Sequence, residues 1–282
     1  MLARASASSG SFMALNSRGL FSLARKYDRR QQRIKRWRKP IETAGDRLHA
    51  WLSAILADHG FLRLVHPNRH RVSDELWRSA QPLPRDIAWA ARNGIKTVIN
   101  LRGGREFGCW ALENEACRRH GIRLVDLPLY ARGAPRKEAI RWARELFASV
   151  EYPALIHCKS GADRTGFAAA LYLLLQGRPV EEAQAQLHHR FGHFRSSATG
   201  ILDAFLETYA GEARRAAESG ATLAFLDWVE SSYDPVELTT RFEPAWWVSR
   251  AIARWRRRRR RAAYGLAQEP EQAERAPREP TS

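Results

Sequence analysis

Cys158 and Arg164 stand at the two ends of a loop of mostly small residues, within the stretch HCKSGADRTG that spans 157–166. A short apolar run, Pro153-Ala154-Leu155-Ile156, precedes it and a second, Phe167 to Leu175, follows. That order reads as strand, tight loop and helix, an arrangement in which successive backbone N–H groups and the positive helix N-terminus converge on an anion. Lys159, Ser160, Gly161, Ala162 and Asp163 would line such a cradle, and Gly161 supplies a backbone conformation that a side chain resists. A ring of donors that stabilises a phosphate also stabilises a thiolate, which makes Cys158 a candidate nucleophile at neutral pH. Arg164 can fork two N–H groups onto phosphate oxygens and tighten as charge spreads in the transition state. Thr165 can donate its hydroxyl to the sulfur and help it leave, and His157 can orient the cysteine from the strand end.

At these residues the chain resembles the cysteine-dependent protein tyrosine and dual-specificity phosphatase superfamily, whose mark is His-Cys-x5-Arg-Ser/Thr-Gly. Trp77-Arg78-Ser79-Ala80-Gln81-Pro82 is similar to the opening segment of small bacterial and atypical dual-specificity phosphatases. Gly94 to Arg102, GIKTVINLR, is similar to their first central strand and the turn after it. The likeness extends over about Leu76 to Tyr209. It implies a phosphomonoester hydrolase working through a phosphocysteine intermediate, with no metal and no organic cofactor. The general acid expected of such enzymes has two candidates. Asp126 lies 32 residues before Cys158, as the family spacing requires, yet it falls in a segment that reads as a strand, and the loop Tyr130 to Lys137 contains no acid. Asp163 lies inside the phosphate loop, and Cys-x4-Asp-Arg is similar to lipid phosphatases of the myotubularin and Sac types and to bacterial phosphatases with broad tyrosine and phosphoinositide activity. We favour Asp163, with simple bracing of the loop as its other reading. Lys159 resembles a basic residue that phosphoinositide-active relatives carry beside the cysteine. The substrate class stays open between a phosphorylated protein and a lipid or carbohydrate phosphate, and a catalytically silent phosphate-binding module is the alternative to an enzyme.

Charge is concentrated at the ends. Of a net +17, residues 1–40 hold eleven Lys or Arg against the single acid Asp28, and residues 241–264 hold nine Arg against Glu243. The stretch between is close to neutral. Such ends suit an anionic surface, and Trp246, Trp247 and Trp255 among the C-terminal arginines suit the interface of an acidic membrane. A solvated tail and sequence-independent nucleic-acid contact are the other readings; no motif supports specific nucleic-acid recognition. Residues 1–25 have transit-peptide composition, whereas the run from Phe12 to Leu23 is too interrupted for a secretory signal.

The elements that must position the loop alternate. Strands are expected at Lys96 to Leu101, Ile122 to Leu127 and up to Ile156. Helices are expected from Pro84 to Ala91, Trp110 to His120, Pro135 to Val150, Thr165 to Gln176, Val180 to Phe191 and from Thr199 or Gly200 through Tyr209. That pattern predicts an α/β fold with a largely parallel sheet, helices on both faces and the phosphate at the carboxyl end of the last strand. The expected organisation is a basic extension over 1–40, a catalytic domain over 41–240 that begins with a helical segment, and a Trp/Arg-rich segment with a polar tail over 241–282. Three cysteines argue against a disulfide framework, and a working Cys158 needs a reducing compartment, so the cytoplasm is expected, with peripheral contact to the inner face of a membrane through the basic ends. His189 and His193 are too poorly supported to read as metal ligands. Arg102, just past its strand, reads either as a grip for a second anionic group or as a salt-bridge partner.

Overall fold

The computed structural model describes residues 31–37, 39–58, 67–103 and 105–244, together with positions 25, 28 and 29. Five strands form one sheet in the order β1-β2-β5-β3-β4: His70–Arg71, Leu76–Ser79, Ala154–His157, Thr97–Asn100 and Arg123–Asp126, with β1 to β5 numbered along the chain. Only β1, at one edge, runs antiparallel; the other pairings are parallel, as the alternating pattern predicts. Every residue of β3 and β5 is buried, as expected of central parallel strands covered on both faces.

Side chains divide with the period of two that a strand imposes. Val98 of β3 and Leu155 of β5 face one layer, made by α2 (Pro84–Arg92) and α3 (Gly108–Arg119) through Ile87, Ala90, Ala116 and Cys117. Ile99 and Ile156 face the other, made by α4 (Lys137–Ser149), α5 (Asp163–Leu175) and α7 (Ile201–Glu218) through Ile140, Phe147, Phe167, Leu171 and Leu202. Helix α5 is buried continuously from Thr165 to Leu174, which explains why the sequence after the loop is apolar all round rather than striped. Beyond α7, α8 (Phe225–Ser231) and α9 (Pro235–Arg241) close the far side, where the buried ring of Trp228 packs among Phe205, Tyr209, Phe225 and Tyr233.

Three boundaries differ from expectation. Helix α5 begins at Asp163 instead of Thr165, which draws Asp163 and Arg164 into its first turn. The segment expected to be one helix from Val180 to Phe191 is a short α6 (Val180–Gln184), a turn, and a 3-10 turn at His189–Phe191. Gly192 closes that turn at φ 83°, a left-handed value that ends a helix. Helix α7 runs to Glu218, past the expected Tyr209.

The expected N-terminal helical segment is α1 (Ala44–Leu52), continued by a π-helical turn over Ser53–Ala57; residues 59–66, which follow it, lie outside the described residues. Thr43 and Asp46 form a capping box at its start, each side chain accepting a backbone N–H of the other. Ala50 and Ala54 then pack on Cys109, Ala111 and Leu112 of α3. The approach is close enough that a Cβ on Gly108 would stand 2.2 Å from the Ala50 carbonyl oxygen. Ser53 Oγ accepts the Gly108 N–H at 3.1 Å, fastening the same crossing. Both strongly basic ends lie wholly or mostly outside the described residues, Trp246, Trp247 and Trp255 included, and no helix among those described is long and apolar enough to cross a membrane.

The Gly108 crossing gives a stability test. Gly108→Ala should destabilise the protein by about 2 kcal/mol through overpacking, with α1 released first and residues 44–58 cleaved early in limited proteolysis. Gly211→Ala, in α7 with only the tip of Arg215 nearby, should be neutral or stabilising by about 0.5–1 kcal/mol in chemical denaturation.

Candidate active site

The carboxyl ends of β2, β5, β3 and β4 meet at one edge of the sheet, and β5 runs directly into the loop that starts at Cys158. Cys158 is buried and unbonded, and Gly161 turns the loop at φ 76°. A Cβ at Gly161 would stand 2.7 Å from the Ala80 backbone nitrogen, so glycine is required by space as well as by conformation.

What shapes the loop is a buried arginine on the neighbouring strand. Arg78 is fully buried with no carboxylate partner among the described residues. Its Nη2 donates to the Gly161 carbonyl at 2.8 Å and reaches the Ala162 carbonyl at 3.4 Å, while Nη1 donates to the backbone and side-chain oxygens of Gln186 at 2.8 and 3.0 Å. The guanidinium also lies over the Phe191 ring, 3.8 Å from its centroid. Burial lowers the Arg78 pKa to about 10, opposed by the electrostatic pull of Cys158. Asn68, in a left-handed conformation at φ 47°, works in parallel: its Nδ2 donates to the carbonyls of Ser160 and Phe191, both at 2.9 Å. With these carbonyls drawn outward, the loop can turn its amides inward. Helix α5 adds its N-terminus.

Arg164 is partly buried in the first turn of α5 and forms no ion pair or hydrogen bond among the described residues. The Thr165 hydroxyl is fully buried and without a partner among them. Around these two, charges are paired. His157 Nε2 lies 2.6 Å from Glu113 Oε1, both groups buried, which fixes the imidazole behind the cysteine. Glu113 also accepts from Gln81 Nε2 at 2.7 Å, and Gln81 Oε1 accepts from Arg102 Nη1 at 2.8 Å. Arg102 in turn forks onto Asp58, which also takes Lys159 Nζ at 3.2 Å. Burial works against the charge on Arg102, but Cys109 and Asp58 outweigh it and raise its pKa overall. Of its two sequence readings, Arg102 is in a salt bridge.

The two aspartates differ in place. Asp126 ends β4, two strands from Cys158, where Oδ1 accepts from Asn100 Nδ2 at 2.9 Å and Oδ2 pairs with Arg105 at 3.0 Å. Asp163 Oδ1 accepts from His193 Nδ1 at 2.7 Å and from Thr199 Oγ1 at 3.0 Å. Burial alone would raise the Asp163 pKa, yet the bonds from His193 and Thr199 hold it below the ordinary carboxylate value. His193 is buried between Asp163 and Asp203, each 2.7 Å from one ring nitrogen. Desolvation pulls its pKa down, but the two carboxylates win and raise it to about 9. Asp163 is therefore held as a carboxylate against an imidazolium, a geometry that suits bracing better than proton donation. Among the other cysteines, Cys109 joins the Arg102–Asp58 pair, and burial pushes the Cys117 thiol up.

Comparison with known proteins covers the stretch that contains this loop. A family model described as a DSP-PTPase phosphatase fused to NAD+ kinase matches residues 66–201. This stretch of the chain is similar in sequence to dual-specificity phosphatases. The dual specificity protein phosphatase TpbA of Pseudomonas aeruginosa is 31% identical over 149 residues, 51% of this chain and 65% of that protein, so the chain spans just under two thirds of that relative. The chloroplastic NAD kinase 2 of Arabidopsis thaliana is 30% identical over 112 residues, 37% of this chain and 11% of that protein. A crystal structure of TpbA in complex with phosphotyrosine superposes with a TM-score of 0.38 and 27% identity, covering 51% of this chain and 91% of that one.

The sequence argument named Cys158 to Thr165, which the structure places at the junction of β5 and α5. It missed Asn68, Glu113 and Asp58 entirely and quoted Arg78 only as part of a resemblance. Arg78 carried a usable signal, because an arginine inside a short apolar strand must be exposed or bonded. The other three reach His157, Ser160 and Lys159 from distant parts of the sequence and left none.

Two measurements follow. Arg78→Lys should weaken orthophosphate binding about tenfold or more in calorimetric titration, since one ammonium cannot hold the Gly161 carbonyl and Gln186 together. Because the folded value for His193 lies above its ordinary 6.5, the pair's contribution is complete below about 6.5 and is lost as pH rises through about 9. Thermal midpoints should therefore fall across that window by an amount corresponding to on the order of 3 kcal/mol, and His193→Gln should flatten the fall.

Proposed function

We propose that the protein is a phosphoric monoester hydrolase working through a phosphocysteine intermediate, with aryl phosphates, phosphotyrosine in proteins above all, as its substrates. One observation carries the reading: Arg164, six positions after Cys158 and in the first turn of α5, forms no ion pair or hydrogen bond among the described residues, and the loop between them has its Ser160 and Gly161 carbonyls taken up by Asn68 and Arg78. A partly buried arginine without an anion among the described residues, at a helix N-terminus and in one loop with a cysteine, fits a phosphoryl group.

The steps balance on the chain's own groups. The Cys158 thiolate attacks phosphorus, an S–P bond forms, and the P–O bond to the leaving oxygen breaks. Loop amides and the Arg164 fork take the charge on the equatorial oxygens. Water then attacks phosphorus, the S–P bond breaks, and orthophosphate leaves as the thiolate is restored. Thr165, whose buried hydroxyl has no other partner among the described residues, is suited to donate to the departing sulfur.

Proton donation to the leaving group decides the substrate. Both candidate acids are engaged by cations, Asp126 by Arg105 and Asp163 by His193. A leaving oxygen that departs without a proton must be a weak base, which favours phenols over aliphatic alcohols. The likeness to a relative named a dual specificity protein phosphatase supports a protein substrate. The same pairing favours a second reading, a phosphate-binding module without turnover, since two aspartates each engaged by a cation are what such a module would show.

Phosphate release at neutral pH from a phosphotyrosyl peptide, compared with anionic vesicles carrying a phosphoinositide, separates the outcomes. Release from the peptide, lowered more than about a thousandfold by Cys158→Ser and by Arg164→Ala, is expected. Faster release from vesicles, lost on deleting residues 241–282, would instead mean a lipid phosphatase positioned by its basic tail. Orthophosphate binding without release from either would mean the silent module. Asp163→Asn should slow the peptide and p-nitrophenyl phosphate by a similar factor; a loss confined to the peptide would make Asp163 the acid after all.

A further inference from the structure

We propose that Asp58 sets the substrate class of this site: it is an internal anion standing where a second phosphoryl group would bind, and it restricts the site to substrates with one phosphate. The inference rests on the phosphatase reading above. Its observations are separate from those that carry that reading.

Asp58 meets two cations at once. Oδ1 lies 2.8 Å from Arg102 Nη2 and 3.2 Å from Lys159 Nζ, and Oδ2 lies 2.9 Å from Arg102 Nη1. Lys159 follows the nucleophile directly, so this cluster adjoins the phosphate loop. A forked arginine and a lysine around one pair of oxygens is also how a protein holds a phosphate. Here the pair of oxygens belongs to the chain itself. The Asp58 carboxylate is 1% exposed, while the Lys159 side chain is 44% exposed and so faces the open side of the site.

Asp58 comes from outside the phosphatase-like stretch of 66–201, at the end of the π-helical turn that prolongs α1. Docking of α1 on α3 through Gly108 and Ser53 delivers it. Without that carboxylate, Arg102 and Lys159 would present two positive charges beside the loop. With it, a second phosphate on the substrate meets a fixed negative charge and finds both cations taken, an arrangement that excludes by repulsion as much as by lost attraction.

The test is calorimetric titration of the full-length protein with orthophosphate and with pyrophosphate, reading the ratio of the two affinities. Asp58→Asn, which keeps the shape and removes the charge, should raise the pyrophosphate-to-orthophosphate ratio about tenfold. Lys159→Met in the otherwise unchanged protein should move the ratio less than about twofold, because Lys159 is already neutralised; in the Asp58→Asn background it should lower the ratio about tenfold. A ratio unmoved by Asp58→Asn, with orthophosphate still bound, overturns the proposal and leaves the phosphatase reading standing. Should Asp58→Asn fail to fold, a tenfold fall on Lys159→Met alone overturns it equally, since Lys159 would then be free to serve a second phosphate. Orthophosphate that does not bind at all removes the phosphatase reading and this one with it.

Discussion

The structure of the site depends on one buried cation. Arg78 is on β2, yet it bonds to nothing in its own strand's ladder through its side chain; it ties the phosphate loop to the turn after α6 by way of carbonyl oxygens alone. A fully buried guanidinium that no carboxylate pairs among the described residues is expensive, and the lowered pKa records that expense. It is tolerated because carbonyl dipoles from Gly161, Ala162 and Gln186 supply fixed negative ends. Those bonds turn the loop's carbonyls away from the centre. The positive charge is thereby communicated to the phosphate side through backbone geometry as well as through its own field. An apolar residue of similar volume would fill the space and leave the Gly161 and Gln186 oxygens without donors.

Around that anchor the remaining charges form a chain along the sheet edge: His157, Glu113, Gln81, Arg102, Asp58, Lys159. Each contact joins a different element, from β5 through α3 and the turn after β2 to the segment following α1. His157, Glu113 and Asp58 are buried, so removal of one member strands its neighbour's charge in a low-dielectric interior. The consequence is rigidity at the place where the cysteine must be held, and a dependence of the site on α1. On the other flank, Asp163, His193 and Asp203 do the same work with a protonated imidazole, linking α5 to the start of α7. Arg164 and Thr165 are left between two paired systems, with their donors uncommitted.

How much of this was legible follows from the range of each interaction. The loop, its strand and its helix are contiguous, and their residue types, spacing and apolar flanks agree, so Cys158 to Thr165 could be named from sequence and the parallel sheet inferred from alternation. The helix expected from Val180 to Phe191 failed because periodicity alone does not weigh a glycine that can adopt φ 83°, and because the Gln186 carbonyl is needed by Arg78. The choice of Asp163 as acid rested on its position beside Arg164. His193, thirty residues later, sets its protonation, and no local pattern encodes that contact. Asp58 carried no signal of its own, because the two cations that close on its carboxylate, Arg102 and Lys159, come from distant parts of the chain.

The distribution of roles across the chain gives that last contact its meaning. Residues 66–201 contain the loop, Arg164, Thr165 and the anchor Arg78. The flanking pieces add function by different routes. The C-terminal helices bury α5 under an aromatic cluster and fix Asp203 against His193, which stabilises the loop without meeting a substrate. The N-terminal helix brings a charge to the loop's rim through Lys159. A flanking element that only stabilised the domain could have presented an apolar face, as the C-terminal helices do. Delivering a carboxylate to two cations beside a phosphate loop changes what that loop will accept, and this is the physical reason to place substrate selection, and not only stability, in the segment before residue 66.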